Sequence, residues 1–363
     1  MERKRRKLVL SDGQVYDGYS FGSTDEVVCE VVFNTSMVGY QELVSDPACA
    51  DQAVVMTYPV IGNYGTNDDD YEAKTPFIKA LIVREYNDLP SNFRYTKSLG
   101  EIMEEQNVVG LYGLDTRMLT RKLRDGGSMV GIITDAETDV DSALTKIKAY
   151  EIPTDAVKRV SCRKKWYSRT AHSRYQVVAI DCGIEKSSIE SLNARGCNVT
   201  VVPYNATAEE VLALKPDGVM ISNGPSSPDY VPEAVETVKA LKGRLPIFAI
   251  GLGNLVLAQA YGAKSEKLAH EHRGGNHPVR NVETGKIEIA SQNHALAVNA
   301  DSVNGTELEI THVNVLDGSV EGVECKKDKA FGVQFHPETT PGHKDNSYLI
   351  DKFIKNMEDN RNA

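Results

Sequence analysis

PIFAIGLGNLVLAQA, residues 246–260, carries the clearest architectural signal in the chain. The apolar run IFAI passes through a Gly-Leu-Gly turn directly into a second apolar stretch, the pattern of a buried strand feeding a helix. A turn this tight is a nucleophile elbow in backbone terms. It would hold its central residue at a helix N-terminus, where a side chain stands exposed and the next backbone N–H can face an oxyanion. That central residue is Gly251, which has no side chain to present.

The same alternation surrounds this segment. YQVVAID, CNVTVVP and DGVMISNGP are apolar runs separated by the amphipathic stretches IEKSSIESLNARG and ATAEEVLALKP, and a further helix is predicted over residues 232–242. Continuous apolar strands alternating with such helices indicate an α/β domain with a mostly parallel sheet covered on both faces. Thr207 and Glu210 have capping-box spacing, and Gly196 suits the end of the preceding helix. GKIEIAS, LEITHVNV and AFGVQF read as later strands, before a C-terminal helix over about residues 347–357. Ligands in open α/β sheets sit at the carboxyl ends of the strands. Residues 223–227, 250–254 and 336–338 are therefore expected to share one cleft. In FGVQFHPE, His336 and Glu338 are two residues apart, so an extended chain projects both to one side, where the carboxylate can orient the imidazole.

The first half reads differently. LVLSDG, VVCEVVFNTS, AVVMTYPVIGNYG and FIKALIVREYN are β-branched runs between turn clusters. A helix is predicted over residues 98–106. Another, in DTRMLTRKLRDGG, has an aspartate start, Met118, Leu119 and Leu123 at helical spacing, and a Gly-Gly stop. Residues 151–174 are polar and basic without a period, which suits an exposed connection. The expected organisation is a sheet-rich α+β domain over 1–150, a connector over 151–174, and the α/β domain over 175–363.

Of the 363 residues, 41% are hydrophobic and 25% charged, close to globular averages and unlike a disordered, collagen-like or disulfide-stapled chain. No window approaches the ~20 apolar residues of a membrane span, and the N-terminus has no signal-peptide core, so a cytoplasmic protein without membrane contact is expected. A net charge of −10 opposes phosphate binding, so the basic run from Arg3 to Lys7 is expected to be a solvated tail and nucleic acid is not an expected partner. The six scattered cysteines lack a CxxC pair and are read as reduced thiols. All eight histidines lie at His172 or beyond, so imidazole chemistry must come from the second half.

Taken in order, LVLSDGQVYDGYSFG, VVFNTSMVGYQELVSDP, TYPVIGNYGTN, GLDTRMLTRKLRDGG, PDGVMISNGP, HRGGNHPV, SQNHALAV and VQFHPE give the chain a resemblance to the small subunit of carbamoyl phosphate synthetase. It extends over nearly the full length. The resemblance implies an N-terminal domain that docks on the synthetase large subunit and a C-terminal class I glutamine amidotransferase domain. It also implies an elbow cysteine attacking the glutamine amide, assisted by His336 and Glu338, with ammonia passed to the large subunit. Thiolate chemistry suits amide cleavage because sulfur is nucleophilic and is activated by a base and a helix N-terminus.

The chain departs from that pattern around the glutamine site. Gly251 replaces the cysteine. Ala48 stands where the resemblance implies a serine contacting glutamine, and Ser226 where the SNGPG loop ends in glycine. Asn254 and Leu255 replace a His-Gln pair, and Ala295 and Leu296 replace glycine and phenylalanine, while Gly224, Leu252, Asn293, His336 and Glu338 still match. Removing a hydrolase nucleophile costs about a millionfold in rate. Glycine also takes positive φ without the ~1–3 kcal/mol strain of other residues, so the backbone is expected to persist while the reaction is lost.

The sequence therefore leads to the small chain of a carbamoyl phosphate synthetase complex, in pyrimidine or arginine precursor synthesis, whose own glutaminase half-reaction is lost and whose role is structural or regulatory for an ammonia-using large chain. No cofactor is expected in this chain, ATP and Mg being implied only for the large subunit, and glutamine binding is left in question. Two alternatives stay open: glutamine dependence through an unidentified rescue, or a stand-alone binding protein or amidase using Ser226 or Ser227 with His336. HEHRGGNHP, with His270, His272 and His277, is read as a structural loop, so no metal is expected. Cys182 is read as a packed hydrophobe rather than a displaced nucleophile, and NDDDYE, residues 67–72, as a solvated acidic loop.

Overall fold

The computed structural model describes residues 4–338 and 345–362. The chain divides into two compact units, Met1–Pro153 and Thr154–Ala363.

In the first unit seven strands close into a barrel, in the spatial order Arg5–Leu10, Val15–Gly22, Val109–Tyr112, Ala80–Val83, Gln52–Met56, Val27–Asn34 and Met129–Asp135. Closure is made by antiparallel pairing of the last strand with the first, Arg6 opposite Asp135 and Leu10 opposite Gly131. Alternate residues point inward, so Leu8, Leu10, Val31, Phe33, Val55, Ile82 and Ile133 share a core with Leu119 and Leu123 of the helix Thr116–Gly126. The Asp115 carboxylate caps that helix by accepting from Met118 N, and Ser98 with Glu101 makes a capping box before Leu99–Glu105.

Two charged runs differ from expectation. Arg3 lies outside the described residues, but the remainder of the basic run is no tail. It enters the first barrel strand, and Arg6 and Lys7 are buried because their long side chains reach backbone carbonyls. Arg6 donates to the carbonyls of Thr24, Asp25 and Ile133, and Lys7 to that of Thr138. In the acidic run, Arg94 pairs with Asp69 at 3.1 Å and Asp70 at 3.2 Å, and Glu72 is buried.

The second unit is built on a ten-stranded sheet. Its parallel core runs Cys197–Pro203, Tyr175–Asp181, Gly218–Ile221, Ile247–Ile250, Ala330–Val333. Successive strand residues feed opposite faces: Val178 and Ile180 join one apolar cluster, Val177 and Ala179 the other. The segment read as a connector contributes a helix, Ala156–Val160, and an edge strand, Trp166–Ser168, antiparallel to Cys197–Pro203. HEHRGGNHP is not a loop either. It lies within the strand Ser265–Asn281, whose pairing with Ile287–Val298 is shifted between Lys267 and His272 and again between Gly274 and His277. Such shifts hide a strand from a period-two reading.

Candidate functional site

Three neighbouring parallel strands, Gly218–Ile221, Ile247–Ile250 and Ala330–Val333, end side by side, and their exits form the site. The middle strand turns at Gly251 (φ 56°, ψ −114°) into the helix Leu252–Ala260. Gly253 N donates to Ser222 O at 3.1 Å, drawing the helix against the adjacent loop. A Cβ on Gly253 would stand 2.4 Å from Ile221 O, so the second glycine of the turn is required by packing.

The space above Gly251 belongs to Asn223. A Cβ on Gly251 would meet Asn223 Oδ1 at 2.1 Å. That oxygen accepts from Leu252 N at 3.3 Å, so the amide expected to face an oxyanion is engaged by the carboxamide. Asn223 Nδ2 donates to Glu185 Oε1 at 3.3 Å and faces His336 Nε2 at 3.5 Å. With the amide oriented by these contacts, His336 Nε2 is an acceptor and Nδ1 carries the ring proton, an assignment made from the hydrogen-bond network. The ring thus presents its lone pair toward the elbow, as a general base would, but toward an amide instead of a thiol.

The carboxylate nearer to His336 is not the one expected from the sequence. His336 Nδ1 lies 3.4 Å from Glu185 Oε1, a long hydrogen bond, and 3.7 Å from Glu338 Oε2, beyond hydrogen-bond range. Glu338 accepts from Ser188 Oγ through Oε1, while its buried Oε2 has no hydrogen-bond partner among the described residues. Burial, followed by the Glu185 charge, pushes the Glu338 carboxyl above its usual range. Burial would raise Glu185 as well, but the charge and hydrogen bond of His336, with the Asn223 bond, outweigh it and hold Glu185 below. Glu185 escaped the sequence reading because it stands just before the helix Lys186–Ala194, in no motif. Its position at a helix N-terminus, which favours negative charge, is the signal that was available.

The other expected positions divide. Gly224 is locked, since a Cβ there would come 2.0 Å from Cys182 O. Ser226 keeps a glycine-like φ of 81° and is exposed. The Leu252 and Leu255 side chains are buried in the apolar core, so Leu255 does not reach into the cleft. Asn254 is buried and donates to Gln334 Oε1 at 3.0 Å. Asn293 accepts from Arg273 Nη1 at 2.6 Å, on the strand that also carries the half-buried Ala295 and Leu296. Ala48 belongs to the first unit, in the short helix Pro47–Cys49. Cys182 is buried in the core and desolvation raises its thiol far beyond the ordinary range, so it is a packed residue, not a thiolate. Ser227 is committed to Asp229, accepting from its N–H and donating to its carboxylate, both at 3.3 Å.

A second group of the same residue types lies on the antiparallel strands. His272 Nδ1 is 3.0 Å from Glu321 Oε1, and its Nε2 is 2.9 Å from Asp317 Oδ2. Asn314 Nδ2 lies 3.2 Å from the same Glu321 oxygen and 3.3 Å from His272 Nδ1, and His294 Nε2 is 3.6 Å from Glu321 Oε2. Burial opposes charge on His272, but the bonds and charges of Glu321 and Asp317 raise it above its usual value. Glu321, although desolvated, is held at about 2 by the charge of His294 and by the hydrogen bond and charge of His272. Burial and the neighbouring charges of His272 and His294 lower His277 to about 4.

Against known families, residues 8–133 match the family model "Carbamoyl-phosphate synthase small chain, CPSase domain", and residues 178–356 match "Glutamine amidotransferase class-I". The carbamoyl phosphate synthase small chain of Fusobacterium nucleatum is 48% identical, over 98% of this chain and 99% of that one. The chain belongs to the carbamoyl-phosphate synthase small-chain family. The pyrimidine-specific small chain of Bacillus subtilis is 46% identical over 98% of this chain and 96% of its own length, and the Staphylococcus haemolyticus small chain 47% identical over 98% and 97%. Among solved structures, a glutamine amidotransferase from Thermotoga maritima is 16% identical, covering 52% of this chain and 86% of that one with a TM-score of 0.38. In this member of the family the elbow residue is a glycine, and the Asn223 amide lies over it. No helix among the described residues is long and apolar enough to cross a membrane.

Proposed function

We propose that this chain is the small chain of a carbamoyl phosphate synthetase in which glutamine hydrolysis has been lost, and that it docks on and supports a large chain that takes free ammonia. The observation that carries this reading is the elbow itself: Gly251 has no nucleophile, and the Asn223 carboxamide fills the space a side chain would use while engaging Leu252 N–H and facing His336. A base without a nucleophile, and a donor already engaged, retain little of the machinery of acyl transfer. In this reading ATP and Mg are handled by the large chain, and the product enters pyrimidine or arginine precursor synthesis in the cytoplasm.

The test is reconstitution. The chain is co-purified with its large subunit, and carbamoyl phosphate is measured with ammonia or with glutamine as nitrogen donor. A stable complex active with ammonia and inactive with glutamine is the expected result. Glutamate release at an ordinary amidotransferase rate would overturn the lost half-reaction, and failure of the two chains to associate would overturn the supporting role.

A further inference from the structure

We propose that Glu185, His336 and Glu338 form a binding site for one divalent transition-metal cation of borderline softness, of which Zn²⁺ is the probe. A carboxylate oxygen from each glutamate and a ring nitrogen of the histidine lie within 4.8 Å of one another. The distances from His336 Nδ1, 3.4 Å to Glu185 and 3.7 Å to Glu338, are longer than the usual ~2.9–3.0 Å of a hydrogen bond. They are close to the ~3.3–3.5 Å that separates two ligand atoms each ~2.0–2.1 Å from a tetrahedral zinc. Glu338 Oε2 supplies an independent observation: it is buried, has no hydrogen-bond partner among the described residues, and points toward the imidazole. A bound cation would pair that oxygen with a positive charge, and two glutamates share a single imidazole.

The surroundings orient these atoms as outer partners orient metal ligands. Ser188 binds Glu338 Oε1 and leaves Oε2 directed inward. Asn223 Nδ2 donates to Glu185 and lies against His336 Nε2, which fixes the ring with Nδ1 toward both carboxylates. Coordination through Nδ1 displaces the proton on that nitrogen to solvent, so binding releases a proton. Three protein ligands leave a fourth position for water.

The other His/Glu group, His272, His294 and Glu321, is the natural rival, since Glu321 Oε2 is also buried without a hydrogen-bond partner among the described residues, 3.6 Å from His294 Nε2. There His272 is held at 3.0 and 2.9 Å between two carboxylates, spacings that a proton on each nitrogen already satisfies. The proposal draws on the preceding reading only in that no thiol at Gly251 competes for the ion. Zinc binding and glutamate release are read separately, so either can fail alone.

The full chain, stripped with a chelator and exchanged into chelator-free buffer, is titrated calorimetrically with Zn²⁺ in two buffers of different ionisation enthalpy. One ion per chain with proton release is expected. Glu185→Gln and Glu338→Gln should each weaken binding at least ~10-fold, and His272→Asn should leave it unchanged. Folding of each variant is checked by circular dichroism. Co²⁺ added to the unaltered chain should give the visible absorption of a low-coordinate site, which His336→Asn abolishes. Absence of saturable binding in the unaltered chain, binding unaffected by Glu185→Gln and Glu338→Gln, or loss of the ion in His272→Asn would overturn the proposal.

Discussion

Among the described residues, the second unit holds two buried histidine–carboxylate groups made of the same residue types at different spacing. Around His272 the contacts are 2.9–3.0 Å, and the ring is a charged strut between Asp317 and Glu321. Around His336 they are 3.4–3.7 Å, and the other ring nitrogen faces the Asn223 amide at the elbow. The strut lies on antiparallel strands that pair residue against residue, whereas the loose group lies where parallel strands end and loops diverge. Composition alone does not separate a structural ion pair from a site. A few tenths of an ångström in the contacts of the shared imidazole do.

The sharpest way to break the contrast is kinetic. If the loose group retains no hydrolytic chemistry, glutamate release from glutamine by the purified chain should lie about a millionfold below that of an intact amidotransferase. A rate within a hundredfold of normal would mean that the group is still an active site. Next in size is stability. Glu321→Gln leaves a buried imidazolium without its main partner and should cost about 3–5 kcal/mol in denaturant unfolding. A loss below about 1 kcal/mol would remove the strut.

Acid titration sharpens the same point. Glu321 is held at about 2 against an ordinary 4.5, so its contribution is present above 4.5 and lost as pH falls toward 2. By linkage that amounts to ~3 kcal/mol. His272 is raised, so its contribution is complete below its ordinary 6.5 and lost as pH rises through its folded value. Stability from this group should peak between those two ordinary values, and Glu321→Gln should flatten the acid limb. Asn223→Ala removes the acceptor for Leu252 N–H and a donor to Glu185, and should cost about 1–3 kcal/mol by thermal unfolding. Smallest of all, Glu338→Gln in metal-free protein should change stability by less than ~1 kcal/mol, because burial already favours the neutral carboxyl that glutamine resembles.

Local signals made much of this legible. The elbow could be read because a strand, a G-x-G turn and a helix are contiguous, and the caps at Thr207 and Asp115 each lie three residues from the group they bind. Barrel closure could not be read, because it depends on Arg5–Leu10 meeting Met129–Asp135 after most of the domain has intervened. The strand Val320–Cys325 was missed since it is buried at every position and shows no alternation. Glu185 and the Asn223 amide were missed for a different reason: each acquires its meaning from a residue contributed by another strand exit. Arg6 shows the opposite failure, a charge that seemed bound for water until three carbonyls claimed it.

A sheet that closes on itself leaves no row of backbone donors and acceptors for another chain to zip onto. The barrel of the first unit therefore cannot recruit a neighbour by lending it a strand. A docking of the kind proposed above would fall to side chains, and on the connecting segments Met37, Val38, Leu89 and Phe93 stand out into solvent. If the large chain docks there, substitutions in those connections should weaken its hold without disturbing the staves behind them.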